Sequence, residues 1–258
     1  MHQHLDWQSE QTASADEYQV YMRACGVDWL LLSNPAAAPV ALGGADLDET
    51  DANLACLATG RLWSRLLPLY WARVGGLDSH PAALIGALNN EPFSGVVLPP
   101  PAPMMESETA VALYKPYLST LAQLEISALF HVEPASSDLA TQIISLAKSF
   151  SRVPFVLSGF GGTRHWRAAL ETVHLAVRRN ELRCYLDTAG ARATDILQAI
   201  KTHGANWLVF GSGGTLLNED HARTCRQTLE ELYDHLATVD FELFASVNAR
   251  DLFKLPSD

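Results

Sequence analysis

Residues 127–150 read SALFHVEPASSDLATQIISLAKSF, and this stretch holds one complete strand-and-helix unit. Residues 127–132 form an apolar, β-favouring run of strand length, whereas residues 141–150 carry apolar side chains at helical spacing. Strands that alternate with amphipathic helices are typical of parallel sheets, because each helix returns the chain to the start of the next strand. A chain built from repeats of this unit is predicted to adopt an α/β fold.

The strand half of the unit recurs along the whole chain. Apart from the polar first run at residues 2–5, each further run is short, apolar and rich in residues that favour β structure. Together with the run at 127–132 we predict eight strands, the other seven lying at residues 2–5, 27–33, 66–74, 93–99, 154–160, 182–187 and 207–212.

The segments between these strands carry helix start and stop signals. Ser14 and Glu17 fit a capping box for a helix that ends at Gly26. Pro81 is typical of the first position of a helix, and Gly204 of the residue that follows one. Helical spacing of apolar residues further predicts helices at 141–150, 166–179 and 193–203.

The length of the chain sets how these units combine. It has 258 residues and no flexible spacer, and its one proline cluster, at 99–103, follows a predicted strand as a stiff loop would. Eight units of about 30 residues fill such a chain. We therefore predict a single domain over residues 1–258, a (β/α)8 TIM barrel. A doubly wound open sheet is the alternative.

Composition excludes several classes of partner. The chain has 18 basic and 29 acidic residues, a formal charge of −11 at pH 7, and no Lys/Arg-rich block. We therefore expect no nucleic acid and no membrane surface as a partner. The four cysteines form no C-x-x-C pair, so a disulfide framework is not indicated. Neither a signal-peptide pattern nor an apolar run of the roughly 20 residues needed to span a bilayer occurs, which predicts a cytoplasmic location.

Three histidines are candidate metal ligands. His2 and His4 lie two residues apart on the first predicted strand, so both side chains point to the same side. His131 ends the fifth predicted strand, and the carboxyl ends of barrel strands share one mouth. Three imidazoles can hold zinc with an open position for water. The alternative is that each is an ordinary hydrogen-bonded histidine.

Several stretches together resemble the amidohydrolase superfamily, in its branch of amidohydrolase-related metal-dependent hydrolases and decarboxylases. The resemblance implies a metal-dependent hydrolase of TIM-barrel type, in which histidines and carboxylates bind one or two divalent metals, zinc above all, and activate water. Members often form dimers, so a homo-oligomer is compatible with it. The matching stretches are HQHLD (2–6), FSGVVLPP (93–100), LEISALFHVEP (124–134), VPFVLSGFGG (153–162), YLDTAG (185–190) and GANWLVFGSGG (204–214).

The match to that pattern is incomplete at two positions. After the sixth strand the pattern has a histidine, and this chain has Gly159. After the eighth strand the pattern has an aspartate that binds metal and acts as general base, and this chain has Gly213. If the metal is kept, Glu133 and Asp187 are the nearest candidates for a catalytic base, a role worth about 10² to 10⁴ in rate. The alternative is a catalytically inactive or metal-independent barrel that binds a small ligand or a protein partner.

The glycines allow two further interpretations. The loops at 158–163 and 211–215 begin helices, so their backbone N–H groups could bind an anionic or phosphorylated ligand, with help from Ser158, Ser212 and Arg164. Alternatively, these glycines simply provide the positive φ angles of tight turns.

Two residues of the third predicted strand complete the candidate site. Arg73 is a candidate for binding a substrate carboxylate, although a surface ion pair would explain it equally well. Trp71 would either line the pocket or fill the top of the barrel.

Overall fold

A computed structural model describes residues 2–4, 13–37, 48–75, 81–132, 137–159, 166–178, 182–213 and 217–255. For residues 2–4, 137 and 138 it describes the backbone alone. Within these ranges, the helices are all too short or too polar to cross a membrane.

One sheet of parallel strands runs in chain order, each strand pairing with its neighbour in sequence. This order excludes the doubly wound alternative, in which strand order reverses at a switch point. The predicted α/β fold of TIM-barrel type is thereby confirmed. The strands are β1 (His2–His4), β2 (Leu30–Ser33), β3 (Leu66–Trp71), β4 (Gly95–Leu98), β5 (Ser127–His131), β6 (Phe155–Ser158), β7 (Cys184–Asp187) and β8 (Leu208–Val209).

Helices connect the strands on the outside of the sheet. A 3₁₀ turn (Pro35–Ala37) follows β2, and a π-helical turn (Leu243–Val247) joins the last two helices. The α-helices are α1 (Ala15–Cys25), α2 (Glu49–Gly60), α3 (Pro81–Asn90), α4 (Ser107–Leu124), α5 (Ser137–Ser149), α6 (Trp166–Arg178), α7 (Ala193–His203), α8 (Glu219–His235), α9 (Thr238–Glu242) and α10 (Asn248–Phe253).

The predicted start and end of α1 agree with the structure. The capping box of α1 is present, since Glu17 N–H donates to Ser14 Oγ at 3.3 Å and Ser14 N–H donates to Glu17 Oε2 at 2.8 Å. Gly26 ends this helix with φ of 76°. The last strand is shorter than the predicted run at 207–212. It ends at Val209, because Phe210 N–H donates to the carbonyl of Phe244 at 3.2 Å and not to a neighbouring strand.

The strands bury residues on both faces, which explains their continuous apolar runs. Alternate residues face the helices, such as Leu30 and Leu32, whereas Leu31 between them faces inward. The inward residues form an inner core with α10, which includes Leu31, Leu69, Trp71, Val97, Leu129, Val156, Val209, Leu252 and Phe253.

Helix α10 covers one end of the sheet. Ser127 Oγ, at the start of β5, donates to the carbonyl of Leu252 at 2.6 Å. A Cβ atom on Gly95, at the start of β4, would lie 3.4 Å from the ring of Phe253. Both strands begin here, so α10 lies against the amino-terminal ends of the strands. The carboxyl-terminal ends of the strands lie at the opposite end of the sheet from α10.

We expect Phe253→Ala to lower the free energy of unfolding by about 3–5 kcal/mol, because it removes a 7% exposed ring from the inner core. Urea unfolding followed by circular dichroism measures this. The control is Val239→Ala on α9, where the side chain is 62% exposed and the change should stay within about 0.5 kcal/mol. Equal effects of the two substitutions would show that α10 does not contribute to the inner core.

Candidate functional site

Three polar residues stand side by side where β5, β6 and β7 end. His131 is the register partner of Ser158, and the pairing of the residues just before, Leu157 with Leu186, continues the row from Ser158 to Asp187. Adjacent strands lie about 4.8 Å apart. Because Leu129 and Val156, two residues earlier on β5 and β6, belong to the inner core, the row faces inward. The sheet therefore brings an imidazole, a hydroxyl and a carboxylate together.

Asp187 is held by the backbone of two neighbouring loops. Its side chain is 2% exposed, and Oδ1 accepts hydrogen bonds from Gly159 N–H at 2.6 Å and Ala189 N–H at 3.0 Å. Two backbone donors on one oxygen favour the ionised carboxylate and hold it in one orientation. A carboxyl group held in one orientation thus lies between the ends of β6 and β7.

The glycines around Asp187 are explained by backbone geometry and space. Gly159 and Gly213 have φ angles of 86° and 63°. A Cβ atom on Gly213 would lie 2.5 Å from Cβ of Ala189, and one on Gly211 would lie 2.9 Å from Cγ of Asp187. The interpretation of these glycines as turn residues therefore holds at 159 and 213, while Gly211 provides room for the carboxylate.

This geometry weighs against an anion site between the two glycine loops. The amide of Gly159 is already bonded to a carboxylate, and that carboxylate would repel a phosphate. Arg164 and residues 160–163 and 214–215 lie outside the described residues. Ser212 is half-buried beyond the end of β8, and its proposed contact with a ligand stays a prediction.

Trp71 packs beside His131. The two ring centroids lie 5.4 Å apart with an angle of 52° between the ring planes. Trp71 is 2% exposed and belongs to the inner core, while His131 is half-buried. The indole thus supports one side of the imidazole and fills the space behind it.

Glu49 accepts two hydrogen bonds at the end of β3. We did not predict it as a site residue from the sequence. Its side chain is 3% exposed; Oε1 accepts from the Tyr70 hydroxyl at 2.7 Å and Oε2 accepts from Arg73 N–H at 2.9 Å. Burial raises the pKa of Tyr70 well above its usual value, and the charge of Glu49 raises it further. The Tyr70 hydroxyl therefore stays protonated and keeps donating to Glu49.

Asn53, one turn further along α2, bonds to the same strand end. Its Oδ1 accepts from Trp71 N–H at 2.7 Å, and its Nδ2 donates to the carbonyls of Trp71 at 2.9 Å and Glu49 at 2.8 Å. Together, Glu49 and Asn53 hold Trp71 in place next to His131. Their spacing with buried Cys56, at positions i, i+4 and i+7, was the signal that they share the inward face of α2.

The described contacts of Arg73 hold strand ends together. Its Nε donates to the carbonyl of Ala37 at 2.8 Å, and its own carbonyl accepts from the Tyr117 hydroxyl at 2.9 Å. Neither contact is the surface ion pair that the sequence offered as an alternative. Substrate binding by Arg73 stays a prediction.

The remaining predicted residues are only partly described. The backbones of His2 and His4 lie in β1, in register with Leu31 and Ser33, and their side chains are not described. Glu133 lies outside the described residues. Among the side chains that the structure describes, no three His, Cys, Asp or Glu residues form a ready metal site. A metal site formed by His2, His4 and His131 stays a prediction.

Comparison of structures identifies relatives of the fold. The chain matches no protein-family model, and no curated protein matches it. A dihydroorotase of Campylobacter jejuni superposes over 100% of this chain and 83% of its own, with a TM-score of 0.63 and 14% identity. A Burkholderia multivorans amidohydrolase with bound zinc covers 99% of this chain and 98% of its own, with a TM-score of 0.63 and 15% identity.

A third neighbour is an uncharacterised TIM-barrel protein of Bordetella bronchiseptica. It covers 93% of this chain and 83% of its own, with a TM-score of 0.66 and 16% identity. The structural neighbours include members of the amidohydrolase superfamily, the group that the sequence resembles. At these identities the likeness shows the fold.

We expect Gly213→Asp to lower the free energy of unfolding by about 2–4 kcal/mol, because it places a side chain at positive φ and against Ala189. Urea unfolding measures the change. Gly86→Asp is the matched control: a Cβ at this exposed helical glycine meets nothing within 4 Å, so the change should stay within about 1 kcal/mol. A stable Gly213→Asp variant would contradict the assigned turn geometry.

Proposed function

We propose that the chain is an amidohydrolase-type enzyme: a single-domain (β/α)8 barrel, closed between β8 and β1, that hydrolyses a small amide or lactone or performs a related lyase step on a carbon acid. One divalent metal, zinc, would take part. The observation that carries the proposal is the buried carboxylate of Asp187, held by two backbone N–H groups in a row with His131. A fixed negative charge at the strand ends suits a cation and an acid-base role.

The donor set fits zinc in its chemistry. Imidazole nitrogens and carboxylate oxygens are zinc ligands, and catalytic zinc sites use three protein ligands and a water. His131 ends β5, and the register of β1 places His4 beside Ser33, the last residue of β2. We therefore assign His2, His4 and His131 as ligands. Bound zinc would supply a water whose pKa is lowered to about 7.

The chain's own residues would then handle protons and substrate. Asp187 is the assigned general base, because its ionised form is favoured by the N–H groups of Gly159 and Ala189. Glu133 is the second candidate base. Ser158, beside both His131 and Asp187, could donate its hydroxyl to a substrate oxygen. Arg73 is assigned to binding a substrate carboxylate.

The packing below the row supports a substrate position at the mouth. The space next to Asp187 on the side of the inner core has a volume of about 10 Å³ and is closed by Leu129, Val156 and Phe253. Such a space holds at most one water. A substrate must therefore approach Asp187 from the carboxyl ends of the strands, where Trp71 shields the side of His131 from solvent.

The competing function is a non-catalytic barrel that binds a small ligand or a protein partner. One observation favours it: the two bonds that Asp187 accepts from Gly159 and Ala189 are also those of a purely structural aspartate. Two measurements distinguish the enzyme from the non-catalytic barrel: the zinc content of the protein, and the rate of hydrolysis after Asp187 is replaced by an uncharged residue.

We expect His131→Ala to remove one zinc per chain, because a three-histidine site loses a ligand. Elemental analysis of untagged full-length protein measures the difference from the wild type. His235→Ala is the control. This exposed residue on α8 bonds, among the described residues, to the carbonyl of Glu231 alone, and its loss should leave the zinc content unchanged. Equal zinc in the His131→Ala protein and the wild type would refute the proposed metal site.

We expect Asp187→Asn to leave stability nearly unchanged, because the amide oxygen can accept the same two N–H groups, and to lower hydrolysis about 10²- to 10⁴-fold. Initial rates on a panel of small carboxylated lactones and amides test this. Gly211→Ala should also slow hydrolysis, because its Cβ would displace the carboxylate. The double variant Gly211→Ala, Asp187→Asn should then hydrolyse the substrate about as fast as Asp187→Asn alone. A further loss of rate equal to that of Gly211→Ala alone would mean that Gly211 does not act through Asp187.

A further inference from the structure

Two histidines face each other on the outside of the sheet, away from the strand ends. His174 lies in α6 and His203 is the last residue of α7, and their ring centroids are 4.5 Å apart with 53° between the planes. Both residues are half-buried. Imidazoles at this separation are close enough to bind one ion between them, given zinc–nitrogen distances of about 2.0–2.1 Å.

Trp207 holds this pair of rings in place. Its ring centroid lies 5.9 Å from that of His174 and 6.1 Å from that of His203. The indole Nε1 donates to the carbonyl of His203 at 3.2 Å, which also fixes the end of α7. Within the part of the chain that the structure describes, the ring nitrogens of both histidines make no hydrogen bond to a protein group, so they are available as ligands.

A carboxylate lies within reach of the same place. Glu171 precedes His174 by three residues, so the two side chains share one face of α6. Glu171 also lines a surface groove of about 200 Å³ together with His203, Gln198 and Thr202 of α7. Its side chain is exposed and would have to change rotamer to join the two imidazoles.

We propose that His174 and His203 form a second metal site, which clamps α6 to α7 by binding a divalent transition ion such as zinc. Two imidazole nitrogens are the core ligands, and Glu171 and water complete the shell. Imidazole favours zinc, nickel and copper over magnesium and calcium. Because only two of these side chains are already in contact, the site is weaker than a structural zinc centre with four protein ligands.

The test uses full-length protein that carries His131→Ala, so that the proposed site at the mouth does not contribute. Calorimetric titration with zinc chloride should show one ion per chain. Adding His174→Ala or His203→Ala should each weaken this binding at least roughly tenfold, and Glu171→Gln should weaken it less. Adding His235→Ala should change nothing. If His174→Ala or His203→Ala lowers stability without metal, the glutamine variants replace them.

Two further measurements make the result specific. Zinc should raise the unfolding temperature only when both His174 and His203 are present, because binding to the folded state alone stabilises it. Electron paramagnetic resonance of bound copper(II) should show two nitrogen couplings, and one in each single variant. No zinc binding in the His131→Ala protein, or binding that survives either substitution, overturns the proposal. Neither outcome bears on the site at the mouth.

Discussion

The two backbone hydrogen bonds that Asp187 accepts from Gly159 and Ala189 organise the carboxyl-terminal end of the sheet. Burying a polar group, here a carboxyl with 2% exposure, is costly unless it is hydrogen-bonded, and these two N–H groups satisfy its Oδ1. The bonds require the chain after β6 to turn toward β7, which the positive φ of Gly159 allows. They also require space on the β8 side, which Gly211 leaves.

A second polar cluster fixes the end of β3, which lies on the other side of His131 from Asp187. Glu49 and Asn53 of α2 bind the backbone and side chains at the end of β3, and thereby fix Trp71 against His131. Each cluster places a buried polar side chain where parallel strands end and their backbone groups need partners. The inner core below is apolar and closed by Phe253. The row of His131, Ser158 and Asp187 thus lies at the carboxyl-terminal end of the sheet, above this apolar core.

This arrangement changes the interpretation of the departures from the amidohydrolase pattern. From the sequence, Gly159 and Gly213 are positions where a ligand and a base have been lost. In the structure both adopt positive φ, and a side chain at 213 would collide with Ala189. The remaining carboxylate comes from β7 and lies next to both loops. Restoring an aspartate at 213 therefore conflicts with the backbone that holds Asp187.

The sequence by itself determined the alternation of strands and helices, the capped ends of α1 and α7, and the presence of His131 and Asp187 at strand ends. These are local properties, because periodicity and capping depend on residues a few positions apart. The structure alone decided that Asp187 adjoins Gly159 and Gly211, and that Glu49 points inward. It also decided that His174 meets His203. Such pairings depend on strand register and helix packing between residues far apart in the chain, which local patterns do not specify.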